Sequence, residues 1–230
     1  MELYIRNEIE NLCKNNGLLA PGFFIQSDEP KVKYGISIAV PLSNAVVDEI
    51  LENGSPTHSY FHHYRTANAY LDSCMLSIGL LLQNNGFKYI PIGASQSIRT
   101  KESPNGFHGR FSHKKGAYLS GLGFIGTNGL FIHKENGPRV RLGTILTDCC
   151  LAEDNPKLIE NTICQNCKKC VKICPANAIL GNIYHLGDED FSLIDPMACS
   201  NFMKKEYQLI GRGSVCGLCM AVCPMGKLKK

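Results

Sequence analysis

A run of thiols constrains this chain more than any other feature. Cys164, Cys167, Cys170 and Cys174 are spaced C-x2-C-x2-C-x3-C, with Pro175 directly after. A second set, Cys216, Cys219 and Cys223, repeats the later spacings and ends in Pro224. Of twelve cysteines in 230 residues, two lie before residue 149 and ten from there on. An oxidising compartment uses thiols as disulfides, a reducing one as metal ligands. The first residues, MELYIRNEIENLCKNNG, carry Glu2, Arg6, Glu8 and Glu10, with neither the apolar stretch of a signal peptide nor a twin-arginine pair. Apolar runs such as 78–82 are far shorter than a membrane span. The expectation is therefore a soluble, cytoplasmic chain without a membrane, whose thiols hold metal.

The spacing points to a kind of metal centre. Three thiolates at spacing three on a tight loop reach three corners of an iron–sulfur cubane. The cysteine before proline turns away and, in two-cluster ferredoxins, ligates the other cluster. The second set has no leading cysteine nearby, and Cys199, seventeen residues before Cys216, supplies one. Eight thiols then make two [4Fe-4S] clusters with crossed ligation. One takes Cys164, Cys167, Cys170 and Cys223, the other Cys174, Cys199, Cys216 and Cys219. A zinc site takes its ligands in pairs and has no use for this run. Cys13 and Cys74 read as core packing. Cys149 and Cys150 read the same way, with a redox role as the alternative.

The uneven cysteine count also suggests a boundary near the polar stretch 151–156, giving domains 1–155 and 156–230. Hydrophobic residues are 44%, charged residues 19% and the net charge +4. That describes a chain with a real core and excludes a disordered one. It lacks the basic excess of a dedicated nucleic-acid binder, so nucleic acid as a partner is possible but not indicated by charge.

Periodicity predicts helices over 2–16, 43–52, 64–85 and 112–120, and strands over 34–40, 88–92, 130–133 and 140–147. Residues 94–110 read as a long functional loop. The expected fold class is α+β, with one sheet of about four or five strands flanked by helices. A scaffold helix is expected from Ala176–Leu180. His62, His63 and Tyr64 read as a surface turn, and the final Gly-Lys-Leu-Lys-Lys as a mild basic tail. Gly121, Gly123 and Gly126 fit G-x-G-x-x-G, but a dinucleotide fingerprint needs a strand before it and a helix after it. Here the order is reversed, so a Rossmann site is rejected.

The stretch Leu119–Ile132 (LSGLGFIGTNGLFI), then Gly137–Asp148 (GPRVRLGTILTD), then the paired cysteine motifs, resembles the epoxyqueuosine reductases and the related corrinoid reductive dehalogenases. The resemblance implies a nitroreductase-like cobalamin-binding domain followed by a bacterial-ferredoxin-like two-cluster domain. It implies an oxidoreductase in which the clusters pass electrons to cobalamin, which reduces a substrate. Gly121, Gly123, Gly126, Asn128 and Gly129, with Arg139, Arg141, Thr144 and Thr147, would line the corrin. The implied partners are a low-potential electron donor of ferredoxin or flavodoxin type and a small-molecule or modified-nucleoside substrate.

Epoxyqueuosine reductases place a proton-donating aspartate in a V-D-S-x-P context. The corresponding Pro91–Ser97 has no carboxylate. His113, or Tyr118 one turn later, is then the expected catalytic proton donor. Relatives acting on transfer RNA commonly carry a further helical-repeat domain, for which 230 residues leave no room. The alternatives are an electron-transfer or corrinoid-reducing protein without its own substrate, and a reductase that has exchanged the corrinoid for flavin.

Overall fold

The structure, a computed structural model, describes residues 1–101, 104–188 and 192–226. The basic tail from Lys227 lies outside the described residues, as do positions 102 and 103 of the long loop. Two compact units emerge, each drawn from three stretches. The first comprises 1–41, 66–122 and 141–159, the second 42–65, 123–140 and 160–230. The expected boundary at 155 follows cysteine content, whereas these units follow packing. Both put the cysteine motifs in one body.

The first unit is built on a four-stranded sheet ordered β1-β2-β6-β3. Its strands are β1 (Gly22–Ile25), β2 (Tyr34–Pro41), β3 (Tyr89–Ile92) and β6 (Val140–Thr147). β1 pairs antiparallel with β2, Gly22 opposite Ser37, and β3 with β6, Tyr89 opposite Thr147. Central strands buried on both faces are continuously apolar rather than alternating, which explains Ile36, Ile38 and Ala39 in β2 and Ile145 and Leu146 in β6. α1 (Glu2–Asn15) contributes Ile5, Ile9 and Cys13, spaced by four to fall on one helical face. α3 (His58–Asn84) adds Leu71, Cys74, Met75, Ile78 and Leu82 to the same cluster. Phe24, Ile92, Phe111, Leu119 and Leu146 form a second cluster, with the Phe24 and Phe111 rings 5.8 Å apart. Neighbours Phe23 and Phe24, like Ile145 and Leu146, go to different clusters. Successive strand residues face opposite ways, so the sheet is covered on both sides.

The second unit contains α2 (Asn44–Asn53), the start of α3 and a separate hairpin of β4 (Gly123–Ile125) and β5 (Phe131–His133). Short helices complete it: α5 (Cys164–Cys167), α6 (Lys169–Ile173), α7 (Pro196–Glu206) and α8 (Leu218–Ala221). Asp195 caps α7 by accepting from the Met197 and Ala198 amides, and Pro196 opens it where a missing N–H costs nothing. α2 and α8 pack together, and a Cβ on Gly217 would stand 2.8 Å from Ile50 Cδ1.

The α+β expectation is borne out, with four corrections. β1 and β4 were not expected, because runs of four and three residues are too short to show alternation. The strands form a four-stranded sheet and a separate pair rather than one sheet. Residues 176–180 form no helix: Asn177 takes φ 49° and Ile179 bridges to Ile194. His62, His63 and Tyr64 lie on α3, where His63 Nε2 accepts the Ser43 amide at 2.9 Å and so stabilises the cap of α2. The rejection of a Rossmann site stands. β4 begins inside the glycine motif, and no helix follows it.

Candidate iron–sulfur site

Eight thiols converge in the second unit, in two groups. Cys164, Cys167, Cys170 and Cys223 line one hollow of about 320 Å3, partly open to solvent, together with Thr127, Asn128, Ile132, Lys168, Lys169 and Pro224. The electrostatic neighbours follow the same division. The Cys223 thiol is raised to about 11, by burial first and then by Cys164, Cys170 and Cys167. Burial likewise raises Cys199 to about 11, reinforced by Cys216 and Cys174. Cys219 is pushed up by burial and then by Cys216 and Cys199. Cys170 and Cys174 come later among its causes. The groups that spacing predicts are thus the groups brought together. Crowded, half-buried thiols with raised pKa values are unstable as free thiolates and become stable when iron takes the charge.

The donors fit a cluster. Among the described residues, no three Cys, His, Asp or Glu side chains close around a single ion. Sulfurs on one zinc stand about 2.3 Å from it, so a mononuclear site needs closer convergence than cubane corners do. Lys168 turns the chain between α5 and α6 at φ 46°, and Asn161 ties the loop down. The Asn161 side chain accepts the Cys164 amide at 3.1 Å and donates to the Ile125 carbonyl at 3.1 Å.

Of the residues expected to line a corrin, Asn128 lines the cysteine hollow. Asn128 donates to the Cys219 carbonyl at 3.1 Å, holding the second cysteine segment. A Cβ on Gly121 would meet Pro156, one on Gly123 the Ile132 carbonyl, and one on Gly126 the Asn128 side chain. Gly129 takes φ 69° against Ile194. Protein atoms therefore account for the close approaches at these glycines. Arg139 is 3% exposed and holds Asp48 at 2.7 Å and Asn44 at 3.0 Å. Arg141 donates to Asn68 at 2.8 Å and is partly exposed. Thr144 and Thr147 have no exposed surface, and their hydroxyls bond to His113 and to the Lys88 carbonyl. These contacts are made within the protein, and a corrin-lining role for the same residues stays part of the proposal below.

His113 opens α4 (His113–Leu119) in the first unit. Its Nδ1 stands 2.8 Å from Thr144 Oγ1 and its Nε2 3.0 Å from the Gly93 carbonyl. A carbonyl only accepts, so Nε2 carries the proton and donates, and Nδ1 accepts from the threonine hydroxyl. Burial pushes the imidazole pKa down, keeping the ring neutral. Both nitrogens are engaged within the fold. Tyr118 is 9% exposed on the same helix. A carboxylate does approach this region, from α3: Asp72 accepts the Ala94 amide at 2.9 Å and acts on His113. Sequence reading missed it because it lies more than twenty residues from the loop it meets.

Cys13, Cys74 and Cys149 are buried in the core of the first unit. Burial raises Cys13 and Cys149 to about 12. Cys150 is partly exposed, and its thiol faces the Ala152 carbonyl at 3.8 Å.

Two groups of four thiols, several of them on short helices, are the pattern of a double-cluster iron–sulfur site. Residues 163–226 match the family described as "4Fe-4S double cluster binding domain". The particular likeness is to reductive dehalogenases and epoxyqueuosine reductases, as the resemblance implied. The chain is 34% identical over 126 residues to the tetrachloroethene reductive dehalogenase of Dehalobacter restrictus, covering 49% of this chain and 22% of that protein. It is 31% identical over 120 residues to the epoxyqueuosine reductase of Lactococcus garvieae, covering 48% and 31%. A solved reductive dehalogenase, whose description concerns B12-dependent dehalogenation, superposes with a TM-score of 0.72 at 17% identity, covering 95% of this chain and 31% of that one. The matches thus span well under half of each of these relatives. Among the described residues no helix is long and apolar enough to cross a membrane.

Proposed function

We propose that this chain is an iron–sulfur reductase that takes low-potential electrons through two [4Fe-4S] clusters to a cobalamin, which reduces a bound substrate. One observation carries the reading: Cys164, Cys167 and Cys170 share their hollow with Cys223, more than fifty residues away. When bound, the clusters supply one-electron transfer and the corrinoid supplies the substrate's reduction.

The chain's own residues do the rest. The first ligand set is Cys164, Cys167, Cys170 and Cys223, and the second is Cys174, Cys199, Cys216 and Cys219. Lys168 and Lys169 place positive charge at the rim of the hollow, favouring the reduced cluster and an acidic donor of ferredoxin or flavodoxin type. The cobalamin is carried by the likeness to B12-dependent dehalogenation, and the modified-nucleoside substrate by the likeness to epoxyqueuosine reductase. The consecutive division, 1–155 for the corrinoid and 156–230 for the clusters, belongs to the same proposal, as does a cytoplasmic location. Tyr118 remains a proton-donor candidate on α4, while His113 would first have to release Thr144 or Gly93.

A second reading, an electron carrier with no substrate of its own, is favoured by that engagement of both His113 nitrogens. Anaerobic reconstitution decides between them. The first reading expects about eight irons per chain and a base-off spectral shift when cobalamin is added. Eight irons with no shift favours the carrier. Fewer than about four irons removes both.

A further inference from the structure

One polar group at the cysteine hollow has no role in the account so far. Thr127 lines the hollow with Cys164, Cys167, Cys170 and Cys223 and is 1% exposed. Its hydroxyl oxygen is buried and has no hydrogen-bond partner among the described residues. The neighbouring Asn128 differs: its amide nitrogen donates to the Cys219 carbonyl, and its oxygen accepts the Leu130 amide at 3.2 Å. Leaving a buried hydroxyl unpaired costs about 1–3 kcal/mol, so a group in such a place normally has an acceptor. The walls of the hollow are otherwise thiols, the aliphatic Ile132 and Pro224, and the donors Lys168 and Lys169. No cysteine sulfur lies within hydrogen-bond reach of the hydroxyl, so the acceptor that chemistry supplies there is the inorganic sulfide of a cluster.

We propose that Thr127 donates a hydrogen bond to a sulfur of the cluster held by Cys164, Cys167, Cys170 and Cys223, and thereby raises that cluster's reduction potential. The inference rests on the ligand set given under the proposed function. A one-electron reduction adds negative charge to the iron–sulfur core, and a donor to sulfur stabilises the reduced form more than the oxidised one. The threonine is a positioning and tuning residue. It takes no part in bond making, and its methyl packs where a serine would leave space.

The Cys174, Cys199, Cys216 and Cys219 group is the internal reference. It has no part in lining this hollow, so a change confined to Thr127 should leave it alone.

The test is a redox titration of the reconstituted full chain, followed by electron paramagnetic resonance, for wild type, Thr127→Val and Thr127→Ser. Valine keeps the shape and deletes the donor, and serine keeps the donor. The expected result is two one-electron steps in the wild type. In Thr127→Val one step moves to a more negative potential by about a tenfold change in equilibrium constant, about 59 mV for one electron, while the other stays. Thr127→Ser should restore the wild-type value. Unmoved steps in Thr127→Val, or two steps moving equally, overturn the proposal. Should the valine variant take up too little iron, the pair Thr127→Ala and Thr127→Ser answers the same question, and equal potentials for the two overturn it. Failure of the ligand set itself reads differently, as a wild-type chain with fewer than about eight irons before any variant is made.

Discussion

The two units reach order by different means. In the first, α1 and α3 bury apolar stripes against a sheet whose central strands are continuously hydrophobic. In the second, α5, α6 and α7 bury none of their residues fully, and α5 and α6 are only 4 and 5 residues long. Helices of four or five residues are far below the length at which propensity alone holds them, and they lack the apolar face that would compensate. What they do have is thiols. On the proposed ligand sets, cluster ligation would tie α5, α6 and the segment after α8 at several points, so binding free energy would do there what hydrophobic burial does in the first unit. Order in one unit is written in periodicity, and in the other in ligand spacing.

The largest expected effect breaks that comparison directly. Chelating iron from the reconstituted chain should release the second unit and spare the first. In hydrogen exchange the amides of α5–α8 should lose protection while those of β2 and β6 keep theirs. Equal loss in both units would mean that the first also depends on iron. On the same logic Cys170→Ala should lower iron from about eight to about four per chain, and a content near eight would remove Cys170 from the ligand set.

Next in size is Arg139→Gln. It leaves Asp48 and Asn44 without the guanidinium that holds them, and breaking a buried pair of this kind costs about 3 kcal/mol, reduced somewhat because Asp48 is half exposed. The urea midpoint should fall accordingly, and a change under about 0.5 kcal/mol would show that the pair is not structural. Gly143→Ala tests the first unit's packing. The added methyl would stand 2.9 Å from Met75 Sδ and 3.1 Å from Ile38 Cγ1, so overpacking should cost about 1–3 kcal/mol, read as a lower Tm. An unchanged Tm would mean that this core yields more readily than its burial implies.

The smallest effect is in pH. Burial depresses the pKa of His113 in the first unit and of His133 in the second. Below the unfolded histidine value of about 6.5 the unfolded chain takes up protons that the folded chain refuses. The stabilising contribution is therefore complete above about 6.5 and declines as pH falls towards the folded values. Comparing urea midpoints at pH 7.5 and 5.5 checks this, and His113→Gln should flatten the slope. A steeper decline in that variant would contradict the sign.

How much was legible follows from the same contrast. The stripe Ile5, Ile9 and Cys13, and the one from Leu71 to Leu82, announce helices because their period is 3.6. The crossed grouping of thiols could be read because cubane geometry leaves few alternatives at that spacing. What could not be read was non-local or very short. β1 and β4 are too brief to alternate. Asp72 reaches the Ala94 amide from another element, and Asn161 fastens the Cys164 loop to β4 through contacts that sequence distance hides. The glycines of 121–129 were read as approaching a ligand. Within the protein, an added Cβ at Gly121, Gly123 or Gly129 would meet Pro156, Ile132 or Ile194, because a glycine reports a close neighbour without naming it.

The shared hollow of Cys164, Cys167, Cys170 and Cys223 also bears on how the protein is made. On the proposed ligand sets, a ribosome that has just released residues 164–174 has exposed four thiols that belong to two different centres. Neither centre is complete until Cys219 and Cys223 emerge, almost together. An assembly factor that loads iron and sulfide before residue 219 emerges would find only partial, mismatched sites, so delivery should wait for Cys219 and Cys223, with both centres filled in one episode rather than in sequence.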